Sequence, residues 1–151
     1  MLLLDAALSY LHFVFALILA GALAAELFIL RLPVDGRVAR LLLRIDLYYG
    51  VSAVGVILAG VARVVWGARG YEFYMAQPLF WAKMAAFVII GLISIIPTRQ
   101  FMRWLKEANT TSQFAASDAD VARIRRLVMV EVHLLALVPL FAAFMARGIG
   151  S

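Results

Sequence analysis

Four long apolar runs, separated by short polar or turn-forming stretches, make up nearly the whole chain. The first extends from about Leu3 to Leu32 and closes on Pro33 and the turn-like Asp35-Gly36. The second covers about Ala39 to Trp66 and carries no charge from Leu47 to Ala62. The third begins near Pro78, a residue favoured in a first helical turn because its missing N–H is not needed there, and runs to about Trp104. The fourth follows a cap at Ser117 or Asp118, covers about Val121 to Met145, and stops at Arg147-Gly148. In the first run alone, the stretch Ala6 to Ala25 passes without a charged side chain. At ~1.5 Å per residue that suffices for a bilayer core of ~30 Å. The pattern predicts an all-α, integral membrane four-helix bundle filling residues 1–151 as one domain. Lys106 to Asp120, with Asn109-Thr110-Thr111-Ser112, is expected to be its long surface loop.

Composition agrees with that pattern. The 151 residues are 66% hydrophobic, and a mean hydropathy of +0.98 is far outside the range of soluble domains. There is no cysteine, which excludes disulfides, thiolate metal sites and thiol catalysis. The start has no basic segment, and its apolar run is too long for a cleaved signal peptide, so none is expected. The net charge of +5 is not a nucleic-acid signature, because the basic residues cluster between apolar runs. Arg31, Arg37, Arg40 and Arg44 flank the first connection; Arg99, Arg103, Lys106, Arg123, Arg125 and Arg126 flank the third. Only Arg63, Arg69, Lys83 and Arg147 belong to the other end. Positive charge collects on the cytoplasmic side of membrane proteins, so both termini are expected in the periplasm of a bacterial inner-membrane protein. Trp66, Tyr71, Phe73, Tyr74, Phe80 and Trp81 would then form an outer aromatic belt, with Phe101 and Trp104 at the inner interface.

Small residues four apart, Ala16, Ala20 and Ala24, then Gly55 and Ala59, then Ala82 and Ala86, read as packing seams. Pro97 and Pro139 lie inside spans, where each removes a helical hydrogen bond and favours a kink.

The polar residues inside the spans fall into two tiers. His12, roughly 10 Å from the outer end of its span by helical rise, shares its level with Lys83, and Arg63 lies close to it. Glu26, Arg44, Asp46 and Glu131 form the second tier toward the cytoplasmic side. At 100° per residue His12, Ala16, Leu19, Leu23 and Glu26 lie on one face, as do Arg63, Ala59, Val56, Ser52 and Tyr49. Lys83 similarly aligns with Phe87 and Ser94. For the inner tier, ion pairing between acids and bases with Arg44 snorkelling outward is the plain explanation, and a proton path or a contact with a quinone-like substrate is the other. For the outer tier, Lys83 and Arg63 either snorkel or hold anionic groups. His12 either bonds a backbone carbonyl or serves as an axial haem ligand with the two cations on the propionates. His133 is the second histidine, but its level differs from that of His12 by roughly 8 Å, which disfavours bis-histidine ligation. It lies about 160° from Glu131 on an ideal helix, so one of the two points away from the interior and could mark a subunit interface. A satisfied buried histidine is the expectation for His133. No metalloprotease, phosphate-loop or Ser-His-Asp pattern is present, and the scattered methionines read as packing.

Several segments carry a family resemblance: Leu11-His12-Phe13, Gly21-Ala22-Leu23-Ala24-Ala25-Glu26-Leu27, Phe80-Trp81-Ala82-Lys83-Met84, and Pro139 through Gly148. Over nearly its whole length the chain resembles a bacterial family of small four-span membrane proteins known only as a domain of unknown function. More distantly it is similar to HemJ-type protoporphyrinogen oxidases and CopD-type copper-resistance membrane proteins. The HemJ likeness implies that His12 and Lys83 form a functional pair with haem b as cofactor. The chain departs from that family where Ile95-Ile96-Pro97 replaces a further histidine, so the likeness implies a haem or porphyrin site rather than protoporphyrinogen oxidation itself. Two functions follow as expectations. One is a haem b-binding or porphyrin-related redox protein using His12, Lys83 and Arg63, with Glu26 and Glu131 exchanging protons. The other is a non-catalytic accessory subunit or a small copper transporter, whose charges only assemble the bundle. The bilayer is the expected partner in either case, with a homo-oligomer or a larger membrane complex beside it, and no nucleic acid.

Overall fold

The computed structural model describes residues 2–68 and 70–148; Arg69, counted above among the basic residues, lies outside them. Five helices follow in order: α1 (Leu2–Ile29), α2 (Gly36–Trp66), α3 (Gly70–Met75), α4 (Pro78–Thr110) and α5 (Asp118–Ala146). All but α3 are long and apolar enough to cross a membrane. The chain is an all-α membrane bundle, in which neighbours pack around a ring in the order α1, α2, α4, α5 and back to α1.

The helix ends show where sequence pattern and structure part. Asp35 and Gly36 start α2 rather than closing α1: the Asp35 carboxylate accepts from the Arg37 and Val38 N–H groups at 2.9 and 2.8 Å. Those N–H groups have no carbonyl a turn earlier, and such a cap contributes about 0.5–2 kcal/mol. Ser117 caps α5 through the Asp120 N–H. α4 begins at Pro78 and runs to Thr110, so the expected loop from Lys106 shrinks to residues 111–117. The exposed Arg103–Glu107 pair at 3.1 Å is one of the contacts that carry the helix onward. α3 is the element that pattern alone does not predict; with six residues, it is too short to show a period. Pro97 and Pro139 both sit within continuous helices.

Two contacts fix the ends. The Ala116 N–H donates to the Val34 carbonyl at 2.9 Å, and Asp35 bridges to Ala115. The α1–α2 turn and the α4–α5 loop therefore lie together at the end where the basic residues cluster, called the basic end below. At the opposite end the Asp5 carboxylate accepts from the Ala68 N–H at 3.2 Å. There Tyr74 and Phe80 form a buried cluster with Met145. They are packing residues, not part of an interfacial belt, whereas Trp66, Tyr71 and Trp81 are exposed. Phe101 and Trp104 are likewise corrected: with 0% and 1% exposure they are core, their rings tilted together 5.9 Å apart.

The α1–α2 seam is the closest approach. A Cβ at Gly55 would lie 2.6 Å from the Phe15 ring, and one at Gly60 would lie 3.3 Å from His12 Cε1. Lipid tails are as apolar as leucine, so helices in a bilayer gain from close van der Waals contact, and glycine is what permits it.

Candidate functional site

Both polar tiers exist, and each draws on all four long helices. Nearer the α3 end, His12 of α1, Arg63 of α2, Lys83 of α4 and Val138 of α5 line one cavity of about 530 Å3. The helical faces read from the sequence account for it. Below His12, α1 turns Leu19, Leu23 and Glu26 into the core; below Arg63, α2 turns Ala59, Ser52 and Tyr49 inward. The rest of the cavity wall is apolar and aromatic, including Tyr71, Tyr74, Phe80, Trp81 and Phe87. Its size and its few convergent polar groups are those of a small-molecule site.

His12 Nδ1 lies 3.1 Å from the Val56 carbonyl oxygen. A carbonyl only accepts, so Nδ1 carries the proton and Nε2 keeps the ring's free lone pair. Gly60, one turn beyond Val56, leaves the room into which the imidazole fits. Lys83 Nζ sits 5.0 Å from the centroid of the Phe80 ring, a cation–π contact. The Arg63 Nε is buried with no hydrogen-bond partner. Among the described residues neither cation has an anionic partner. Two cations on apolar walls without a counter-charge are an arrangement that an anion would satisfy, because charge removed from water is costly unless it is paired. The imidazole adds a lone-pair donor to the same wall.

Nearer the basic end lie Glu26, Asp46 and Glu131, all buried. Asp46 accepts from Thr98 Oγ1 at 2.9 Å. Glu131 accepts from the Tyr49 hydroxyl at 3.3 Å, a bond that spans the ring of helices from α2 to α5. The expected ion pairing is not found. Arg44 is exposed, and none of the three acids has a basic partner among the described residues. Arg44 leaves the tier because its position on α2 turns it outward, away from the stripe of Leu42, Asp46 and Tyr49.

His133 is also corrected. It is exposed on the outside of the bundle, its Nδ1 bonded to the Met129 carbonyl one turn back at 2.7 Å. It is satisfied but not buried, and it does not face the cavity that holds His12. Glu131, two residues earlier, takes the inward direction at 1% exposure.

Sequence reasoning missed Asp5, Thr98 and the Val56 carbonyl as partners. Thr98 follows Pro97 on the inward side of α4, a signal that was available. Neither the Asp5–Ala68 contact nor the choice of carbonyl for His12 leaves a mark in the sequence, because both depend on how two helices are set against each other.

Four apolar spans around two internal polar tiers define a multi-pass integral membrane bundle. Residues 4–150 match the family DUF2214, described as predicted membrane protein, and the chain belongs to that family. No curated protein and no solved structure matches it.

Proposed function

We propose that this chain is a haem b-binding or porphyrin-related redox protein whose ligand occupies the His12–Arg63–Lys83 cavity. One observation carries the reading: an imidazole with a free lone pair and two cations without counter-ions share an aromatic cavity. A planar, largely apolar macrocycle with two carboxylates asks for that combination. His12 would ligate the iron through Nε2, its orientation held by the Val56 carbonyl. Arg63 and Lys83 would take the propionates, and the aromatic side chains would cover the macrocycle faces. When bound, the haem would supply one-electron chemistry. The protein's part is to exclude water, fix the ring and set the local charge. The molecule belongs in the bacterial inner membrane with both termini outside, supported by the ten basic residues that flank the two connections of the basic end.

Purification in mild detergent after haem-replete expression tests this reading. The expected result is a Soret band that His12→Ala abolishes while the variant stays monodisperse and helical. A preparation with no Soret band, or one that His12→Ala leaves unchanged, overturns it.

A further inference from the structure

The acid tier is a second group of buried polar side chains, none of which lines the His12 cavity. Three carboxyls from three helices, Glu26, Asp46 and Glu131, are buried in the half of the bundle nearer the basic end. The side chains bonded to them are Tyr49 of α2, on Glu131, and Thr98 of α4, on Asp46. No base joins them: Arg44, Arg99 and His133 are exposed. The Glu26 side chain, in a residue 2% exposed, makes no hydrogen bond and no ion pair among the described residues, and its Oε1 is buried. Glu131, 1% exposed, uses one oxygen for Tyr49 and leaves Oε1 buried without a partner. Each of these two side chains thus buries a carboxyl oxygen without a hydrogen-bond partner, and neither has an ion-pair partner among the described residues. Among the described residues no three His, Cys, Asp or Glu side chains converge closely enough to hold a metal ion. The ligand that neutralises isolated carboxyls in apolar surroundings is then the proton.

An opening on the bundle surface lies beside this tier. A groove of about 380 Å3 on the bundle surface between α2 and α4 is lined by Asp46, Tyr49, Ser94 and Thr98. Tyr49 thus lines the groove and also donates its hydroxyl to the buried Glu131. Ser94, whose hydroxyl donates to the Gly91 carbonyl at 2.9 Å, lines the same groove.

We propose that Asp46, Tyr49, Glu131 and Glu26 form an intramembrane proton-exchange chain, entered from the α2–α4 groove. In one transfer the Tyr49 O–H bond breaks as its proton passes to Glu131 Oε2. In the same event the phenol oxygen takes a proton from a hydronium ion in the groove, which leaves as water. The hydroxyl is restored, one carboxylate becomes one carboxylic acid, and the net movement is a single proton from groove to interior. Glu26 extends the chain to α1.

Infrared spectroscopy of the haem-free protein in detergent tests this without any chromophore, so its outcome is separate from that of the haem reading. Carboxylic acid C=O bands are expected and are assigned by their loss in Glu26→Gln, Asp46→Asn and Glu131→Gln. On transfer of the folded protein into D2O these bands should downshift long before the buried backbone amides exchange. Tyr49→Phe should slow the Glu131 shift tenfold or more. Absence of the bands, or bands that exchange only with the buried amides, overturns the proposal. Should the carboxyl variants fail to fold, dicyclohexylcarbodiimide on the wild-type chain decides the matter instead. This apolar reagent adds to protonated carboxyls, and peptide mass spectrometry locates the adduct. Modification at Glu26, Asp46 or Glu131 supports the chain, and modification at none of them overturns it.

Discussion

The two polar tiers are opposites built from one plan. Each collects side chains from all four spans, and each is wrapped in apolar packing. The tier near the α3 end holds cations and an imidazole around a cavity of about 530 Å3. The tier near the basic end holds carboxyls in close packing, with Glu26 and Glu131 among the least exposed residues of the chain. The difference shows what each lacks. Unpaired cations beside open space wait for an anion of some size. Glu26 and Glu131, packed without a counter-charge among the described residues, leave room for little more than a proton. Had the tiers served only to assemble the bundle, the cheaper arrangement would set acids opposite bases at one level, because a paired charge costs less than two isolated ones.

The comparison can be broken most directly at His12. His12→Ala should remove bound haem altogether while leaving the acid tier's infrared bands in place, and Glu26→Gln should do the reverse. If either substitution alters both readouts, the tiers are not independent. Next in size is the seam that holds α1 against α2. Gly55→Leu drives a side chain into the Phe15 ring, and overpacking of this kind costs about 1–3 kcal/mol. Thermal unfolding in detergent should register that loss, and both tiers should suffer because α1 contributes to each. Lys83→Met should weaken haem retention about tenfold. That factor corresponds to the ~1.4 kcal/mol at the low end of a hydrogen bond to a charged group. Titration of apoprotein with hemin measures it. Thr98→Val leaves Asp46 Oδ1 without its donor, and an unsatisfied buried acceptor costs about 1–3 kcal/mol. Denaturation should show the loss with the Soret band unchanged. The smallest effect belongs to Gly60→Ala. Its new methyl meets His12 Cε1 at 3.3 Å, so the imidazole must give by a few tenths of an ångström. A small displacement of the Soret maximum with an unchanged melting temperature is the expected result.

How far the sequence reaches is set by what periodicity measures. A 3.6-residue repeat says which residues of one helix share a face, and the faces of His12 with Glu26 and of Arg63 with Tyr49 do turn inward. Helical rise says which residues share a level, and His12, Arg63 and Lys83 do meet. Neither says which face of an all-apolar helix meets protein and which meets lipid. That is why the pattern groups Arg44 with the acids, why it leaves the alternatives for His133 open, and why Phe101 and Trp104 read as interfacial although they are core. In a soluble helix the polar side marks solvent; in a span both sides are greasy, and the mark is missing. Pairing between helices is least legible of all. The Tyr49–Glu131 bond joins residues 82 positions apart, and only packing brings them together.

The joint at the basic end has a consequence for how the chain can be divided. There two turns clasp each other, Ala116 to Val34 and Asp35 to Ala115, without relying on the peptide link between the halves of the molecule. The covalent link runs instead through the short α3 segment at the far end. Severed between Ala68 and Gly70, the chain becomes two helical hairpins that meet through the side-to-side packing of α1 and α2 against α4 and α5. Coexpressed as separate polypeptides, the hairpins should reassemble into a complementing pair. This fold is in that sense a heterodimer that happens to be written in one reading frame.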